Sequence, residues 1–205
     1  MRVQIYALRN RSKVLIRQIL EIAEWIGFET RNKYEILDEE NKLIGFAAEQ
    51  GKGFLGLIMR QFFGHWRTIE IFFFDNERRP VFKAIHPFRW FFQCLVVQNE
   101  VGKTLGIIES RFSLSFKSFV VMTPEHKILL EVRSPVWKIW TFSFKFQNLE
   151  KTVVNKKWSG ILSEAFTDRN NFLVEFMHPK LTDLERNLVL AAGRFIDLQY
   201  FEKKK

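Results

Sequence analysis

The stretch "QNEVGKTLGIIESRFSLSFKSFVVMTPEHK", Gln98 to Lys127, runs from one polar turn cluster to the next. Its ends, "QNEVGK" (Gln98–Lys103) and "TPEHK" (Thr123–Lys127), crowd charged and turn-forming residues, while the runs beside them are β-branched or aromatic. This is the pattern of antiparallel hairpins: Gly, Pro and Asn supply turn geometry, and branched or aromatic side chains suit a pleated surface. The same kind of cluster stands at "DNERRP" (Asp75–Pro80) and "QNLEK" (Gln147–Lys151). The four are centred near Glu77, Val101, Glu125 and Leu149, a spacing of about 24 residues. A fifth, "DEENK" (Asp38–Lys42), lies upstream.

Alternation supports strands beside these turns. In "FSFKFQ", Phe142, Phe144 and Phe146 face one way and Ser143, Lys145 and Gln147 the other. In "LLEVR", Leu130 and Val132 oppose Glu131 and Arg133. Five hairpins give ten strands, "NFLVEF" (Asn171–Phe176) adds one, and the N-terminal or Phe54–Phe63 region supplies another. So many strands without interleaved helices predict a mainly β protein, a closed antiparallel barrel of about twelve strands, because closure removes exposed edges.

Two segments read as helices. "SKVLIRQILEIAEWI" (Ser12–Ile26) places Leu15, Ile19, Ile22 and Ile26 on one face, predicting an N-terminal amphipathic helix. Near the C-terminus "TDLE" (Thr182–Glu185) is a capping box, and "RNLVLAAGRFIDLQYF" follows, apolar on nearly every side. From Leu188 to Phe201 this helix covers roughly 21 Å, against a hydrocarbon core near 30 Å. It also carries Arg194 and Asp197 at i,i+3 spacing. Burial inside protein fits those features better than insertion in a membrane, with Leu188, Leu190, Ala192, Phe195 and Ile196 turned inward.

The 205 residues are expected to form one domain over 1–205, with 23 Phe for its core. One cysteine, Cys94, excludes an internal disulfide and a multi-cysteine zinc site, and the four histidines have no ligand-pair spacing. No paired catalytic constellation is visible, so an enzyme is not expected. "GKT" (Gly102–Thr104) resembles the end of a P-loop, but Val97 stands at the leading glycine position and a hairpin turn surrounds it. The net charge of +9 favours anionic partners. No recognisable nucleic-acid motif accompanies it, so nucleic acid is the weaker candidate. "MRVQIYALRNRSK" lacks the apolar core of a secretory signal, which predicts a cytoplasmic protein, peripheral to a membrane or inserted in one.

"GFETRNKYEI" (Gly27–Ile36), "FAAE" (Phe46–Glu49), "KKWSGILSEAFTD" (Lys156–Asp168), Asn171 with Phe172, and "FIDLQYFE" (Phe195–Glu202) together resemble the phospholipid scramblase family, in its order and with similar separations. The resemblance implies a Tubby-like fold, twelve strands around a C-terminal hydrophobic helix. It also implies ATP-independent movement of phospholipids between leaflets, stimulated by calcium. The alternative is a soluble Tubby-like module that binds a lipid or headgroup without transporting it. Animal members carry a proline-rich N-terminal extension and a cysteine cluster that this chain lacks; "HPFRWFFQC" (His86–Cys94) stands in the cluster's place.

In the resembled family the calcium loop follows "EAFTD". As a twelve-position loop from Asp168, it offers oxygen side chains at Asp168 and Asn170. Phe172, Phe176 and Pro179 then fall at the fifth, ninth and twelfth positions, and Leu173 at the sixth, where glycine is needed. The loop is incomplete; "DRNN" reads first as a turn into the next strand, and no cofactor is required. Cys94 is a candidate for one acyl chain, which anchors only marginally, or for a buried thiol. Arg89 beside Trp90, and Lys156 and Lys157 beside Trp158, pair cations with aromatics as at a lipid interface, and are the candidate contacts for an anionic phospholipid surface.

Overall fold

The computed structural model describes residues 5–19, 30–50, 68–157 and 171–201. Twelve strands close into one antiparallel barrel: β1 Lys13–Ile19, β2 Thr30–Leu37, β3 Leu43–Gln50, β4 Ile69–Asp75, β5 Pro80–His86, β6 Cys94–Asn99, β7 Thr104–Ser110, β8 Phe116–Met122, β9 Ile128–Pro135, β10 Thr141–Phe146, β11 Leu149–Lys157 and β12 Asn171–Phe176. Each strand pairs with its sequence neighbours, and β1 pairs with β12 to close the ring.

All five polar clusters are hairpin turns, and four share one design. Asp38, Asp75, Asn99 and Thr123 each receive a backbone N–H from the residue three ahead and give their own N–H to the carbonyl four ahead. Their side chains accept the N–H of Lys42, Arg79, Lys103 and Lys127. The fourth residue of each turn is left-handed: Asn41 at φ 60°, Arg78 at 64°, Gly102 at 80° and His126 at 61°. The fifth turn is a two-residue hairpin with Gln147 at φ 48° and Asn148 at 64°. These turns all lie at one end of the barrel.

The helix α1, Asp183–Tyr200, enters the barrel from that turn end. Thr182 caps it, its hydroxyl taking the Glu185 N–H while the Glu185 carboxylate takes the Thr182 N–H at 2.8 Å. Its residues from Arg186 to Leu198 are buried, and Leu188, Leu190, Ala192, Phe195 and Ile196 are fully so, as the sequence predicted. Phe73, Phe119, Phe142, Phe144 and Phe172 fill the wall around it, with Phe119 meeting Phe195 edge-on at 5.5 Å. Gly106 on β7 lets the wall come close to the helix: a Cβ there would stand 2.7 Å from the Leu188 methyls and 2.9 Å from the Met122 carbonyl. Asn187 exchanges two hydrogen bonds with the Tyr6 backbone, which ties the segment before β1 over the helix N-terminus.

Two sequence expectations are corrected. Residues 13–19 are strand β1, not the first turns of an amphipathic helix; Val14 and Ile16 point inward with Leu15 and Arg17 outward. Local periodicity favours a helix there, but β1 bonds to both β2 and β12, and without it the barrel has two open edges. The remainder of the expected helix, 20–26, lies outside the described residues, as does the Phe54–Phe63 stretch. Phe146 is exposed although Phe142 and Phe144 are inside, because a bulge between Phe144 and Lys145 breaks the alternation.

Candidate functional site

Strands β1, β3, β5, β7, β9 and β11 run toward the barrel end opposite the turns, and α1 finishes there. Just inside this end lies a buried ionic cluster. Glu49 comes from β3, Lys156 from β11, and Arg194 and Asp197 from α1. Arg194 bonds Asp197 within the helix and stands 3.6 Å from Glu49; the Lys156 ammonium is 3.1 Å from the other oxygen of Asp197. Asn32 donates to Glu49 at 2.8 Å, and Gln18 to Asn32 at 3.1 Å. The Arg194 guanidinium lies 4.3 Å from the Tyr34 ring centre and the Lys156 ammonium 3.9 Å from that of Phe201. Among the described residues two cations face two carboxylates here, and such pairing lets charge persist in an apolar interior.

This places Lys156 inside the barrel, not on the outer surface where the sequence reading had it. The reason is register: Thr152, Val154 and Lys156 share the inward face of β11. The backbone of Lys157 pairs with Asn171 at the end of β11. The Lys157 side chain, Trp158, Asp168 and Asn170 lie outside the described residues.

Arg89 and Trp90 are exposed on the β5–β6 connection, residues 87–93. Arg89 stands 3.6 Å from Glu109, which also pairs with Arg111 at 3.3 Å. Phe88 and Trp90 pack edge-to-face at 5.7 Å. Trp90, Phe91 and Phe92 are exposed and take no part in the core. Cys94, first residue of β6, is fully buried. Burial pushes its thiol up, against formation of the thiolate. Among the described residues no group of His, Cys, Asp and Glu is placed to hold a metal ion.

Sequence reasoning missed Glu49 as a partner of Arg194 and Asn32 as a donor to Glu49, and two further connections of the same end. These are 111–115 between β7 and β8 and 136–140 between β9 and β10, both with exposed apolar side chains. Lys117 holds the second in shape by donating to the Lys138 and Ile139 carbonyls. Trp140 stacks on Phe201 at 5.2 Å, joining that connection to the end of α1.

The family model for Scramblase matches residues 2–203. The chain belongs to the scramblase family. It is 27% identical to Phospholipid scramblase 2 of Homo sapiens over 94% of its length, and 28% identical to Phospholipid scramblase 1 of Homo sapiens over 93%. It spans 68% and 63% of those two relatives. A phospholipid scramblase family protein of Schizosaccharomyces pombe is 23% identical over 80% of this chain and 45% of its own. No solved structure matches the chain. Within this scramblase-family barrel, no helix of the described residues is long and apolar enough to cross a membrane.

Proposed function

We propose that this chain binds the surface of phospholipid bilayers and moves phospholipids between the leaflets without ATP, as the names of its relatives suggest. The observation that carries the membrane part is the contrast between the barrel's ends. One is closed by polar turns, and the other presents Trp90 beside Arg89 and Trp137 beside Lys138, all exposed. Aromatic rings with cationic neighbours suit the boundary between headgroups and acyl chains. Anionic phospholipid strengthens binding, by about 1 kcal/mol for each exposed cation near the surface. Calcium is not required for this contact.

Duplex DNA is the rival anionic surface, so the two are compared at matched salt. The purified chain is expected to sediment with vesicles containing phosphatidylserine and to bind duplex DNA more weakly. DNA binding as tight or tighter, with no vesicle association, would overturn the reading.

A further inference from the structure

Fifteen large apolar side chains are exposed among the described residues, and ten of them fall in only three connections, 87–93, 111–115 and 136–140. The other five, Val101, Ile128, Phe146, Leu149 and Met177, are scattered about the opposite, turn end. The three connections join strands that are neighbours in the ring, so they form a continuous rim. Backbone hydrogen bonds stitch them: Ser110 N–H to the Gln93 carbonyl, Val136 N–H to Ser115, and Lys156 N–H to Trp140.

We infer that this rim is an insertion surface. The barrel stands end-on against a bilayer, and Trp90, Phe91, Phe112, Leu114 and Trp137 enter the interface; their insertion, more than headgroup charge, holds the protein there. The inference rests on the proposed action at phospholipid bilayers and goes beyond it in fixing the contacting surface, its orientation and its dominant force.

Three observations select a bilayer as the occupant. Phe91 is 80% exposed, Phe112 76%, Leu114 86% and Trp137 70%, so these side chains project with few neighbours. Projecting tips on separate loops suit a fluid that moulds around them, whereas a folded partner must offer a matching pocket for each. Arg89, Arg111 and Lys138 lie among the tips at headgroup level, where cations are favoured. The barrel's flank is unsuited to hydrocarbon, because Arg17, Glu35, Lys83, Glu131, Arg133 and Lys145 face outward along the strands. That leaves an end as the contact, and among the described residues the end opposite the turns carries the clustered apolar tips.

The test uses the full chain and vesicles of phosphatidylcholine alone, at low and high salt. A rim variant carries Phe91→Ser, Leu114→Ser and Trp137→Ser; a control carries Val101→Ser and Leu149→Ser at the turn end. All five positions are exposed, and unchanged thermal unfolding confirms that each variant folds. The wild type is expected to bind these uncharged vesicles and stay bound at high salt. The rim variant should partition on the order of a hundredfold less well, and the control like the wild type. Brominated acyl chains should quench wild-type tryptophan fluorescence, and the quenched fraction should fall in Trp137→Ser. If the rim variant binds as the wild type does, or if wild-type binding needs anionic lipid and vanishes in salt, the insertion surface is wrong while bilayer binding stands. If the wild type binds neither phosphatidylcholine nor phosphatidylserine vesicles, both readings fail.

Discussion

Removing the Asp197 carboxylate should be among the most damaging single changes in the barrel. Asp197 is fully buried and serves two cations at once, Lys156 at 3.1 Å and Arg194 within the helix. In Asp197→Ala both remain in the apolar interior, and among the described residues Glu49 is the carboxylate that stays, 3.6 Å from Arg194. Breaking a buried pair from one side costs about 3–5 kcal/mol, because the remaining charge loses that carboxylate without regaining water. Against a total stability of about 5–15 kcal/mol, that is a large fraction. The cluster also predicts a sign: in Lys156→Met with Asp197→Asn one cation and one anion leave together, and Arg194 keeps Glu49. The double variant should therefore be more stable than the two single losses added, by about 1–3 kcal/mol. Urea unfolding followed by far-ultraviolet circular dichroism and tryptophan fluorescence measures all four corners of the cycle. An Asp197→Ala cost below about 1 kcal/mol, or strict additivity in the double variant, refutes the claim that these charges depend on one another.

Three further outcomes are expected. Gly106→Ala should destabilise by about 1–3 kcal/mol in the same unfolding assay, since its new methyl meets the Met122 backbone carbonyl as well as Leu188. Burial alone would raise the Asp38 carboxyl, but the Lys42 and Glu40 N–H groups and Arg11 outweigh it and hold the group below its ordinary range; a depressed carboxylate contributes stability above its unfolded value near 3.9, lost as pH falls through the folded one. Urea midpoints should thus drop below about pH 4, and less steeply in Asp38→Asn, whose amide oxygen can still accept the turn N–H groups as Asn99 does at 2.8 Å. Calorimetry should find calcium binding no tighter than about millimolar, and micromolar binding abolished by Asp168→Ala would contradict the incomplete loop.

Features set by local chemistry were legible in the sequence. Four of the polar clusters became turns because Asp38, Asp75, Asn99 and Thr123 accept backbone N–H groups a few positions ahead. The capping box and the all-round apolar helix identified α1 and its burial. Features set by distant pairing were not. Val14, Leu15 and Ile16 satisfy a helical face and a strand equally well, and only bonding to β2 and β12 decides between them. Lys156 looked like a surface cation beside Trp158, yet its inward place follows from Val154 two residues before it, and its partner Asp197 comes from α1, 41 residues further along the chain. The apolar rim had a readable sign as well: "PFRWFF", "RFSLS" and "VWKIW" fall midway between successive polar turns, which puts them together at the opposite end.

This scramblase-family barrel is proposed to act on bilayer phospholipid, and inner-leaflet access is the most direct measure of that action. Vesicles carrying a fluorescent phospholipid in both leaflets are treated with dithionite, which reduces only the outer-leaflet dye, in the presence of the purified full chain and without ATP. Inner-leaflet fluorescence is expected to disappear as well, at a rate that rises with protein and falls in the rim variant. Vesicles that bind the protein, stay sealed and keep the inner-leaflet signal would contradict translocation and leave a lipid-binding module.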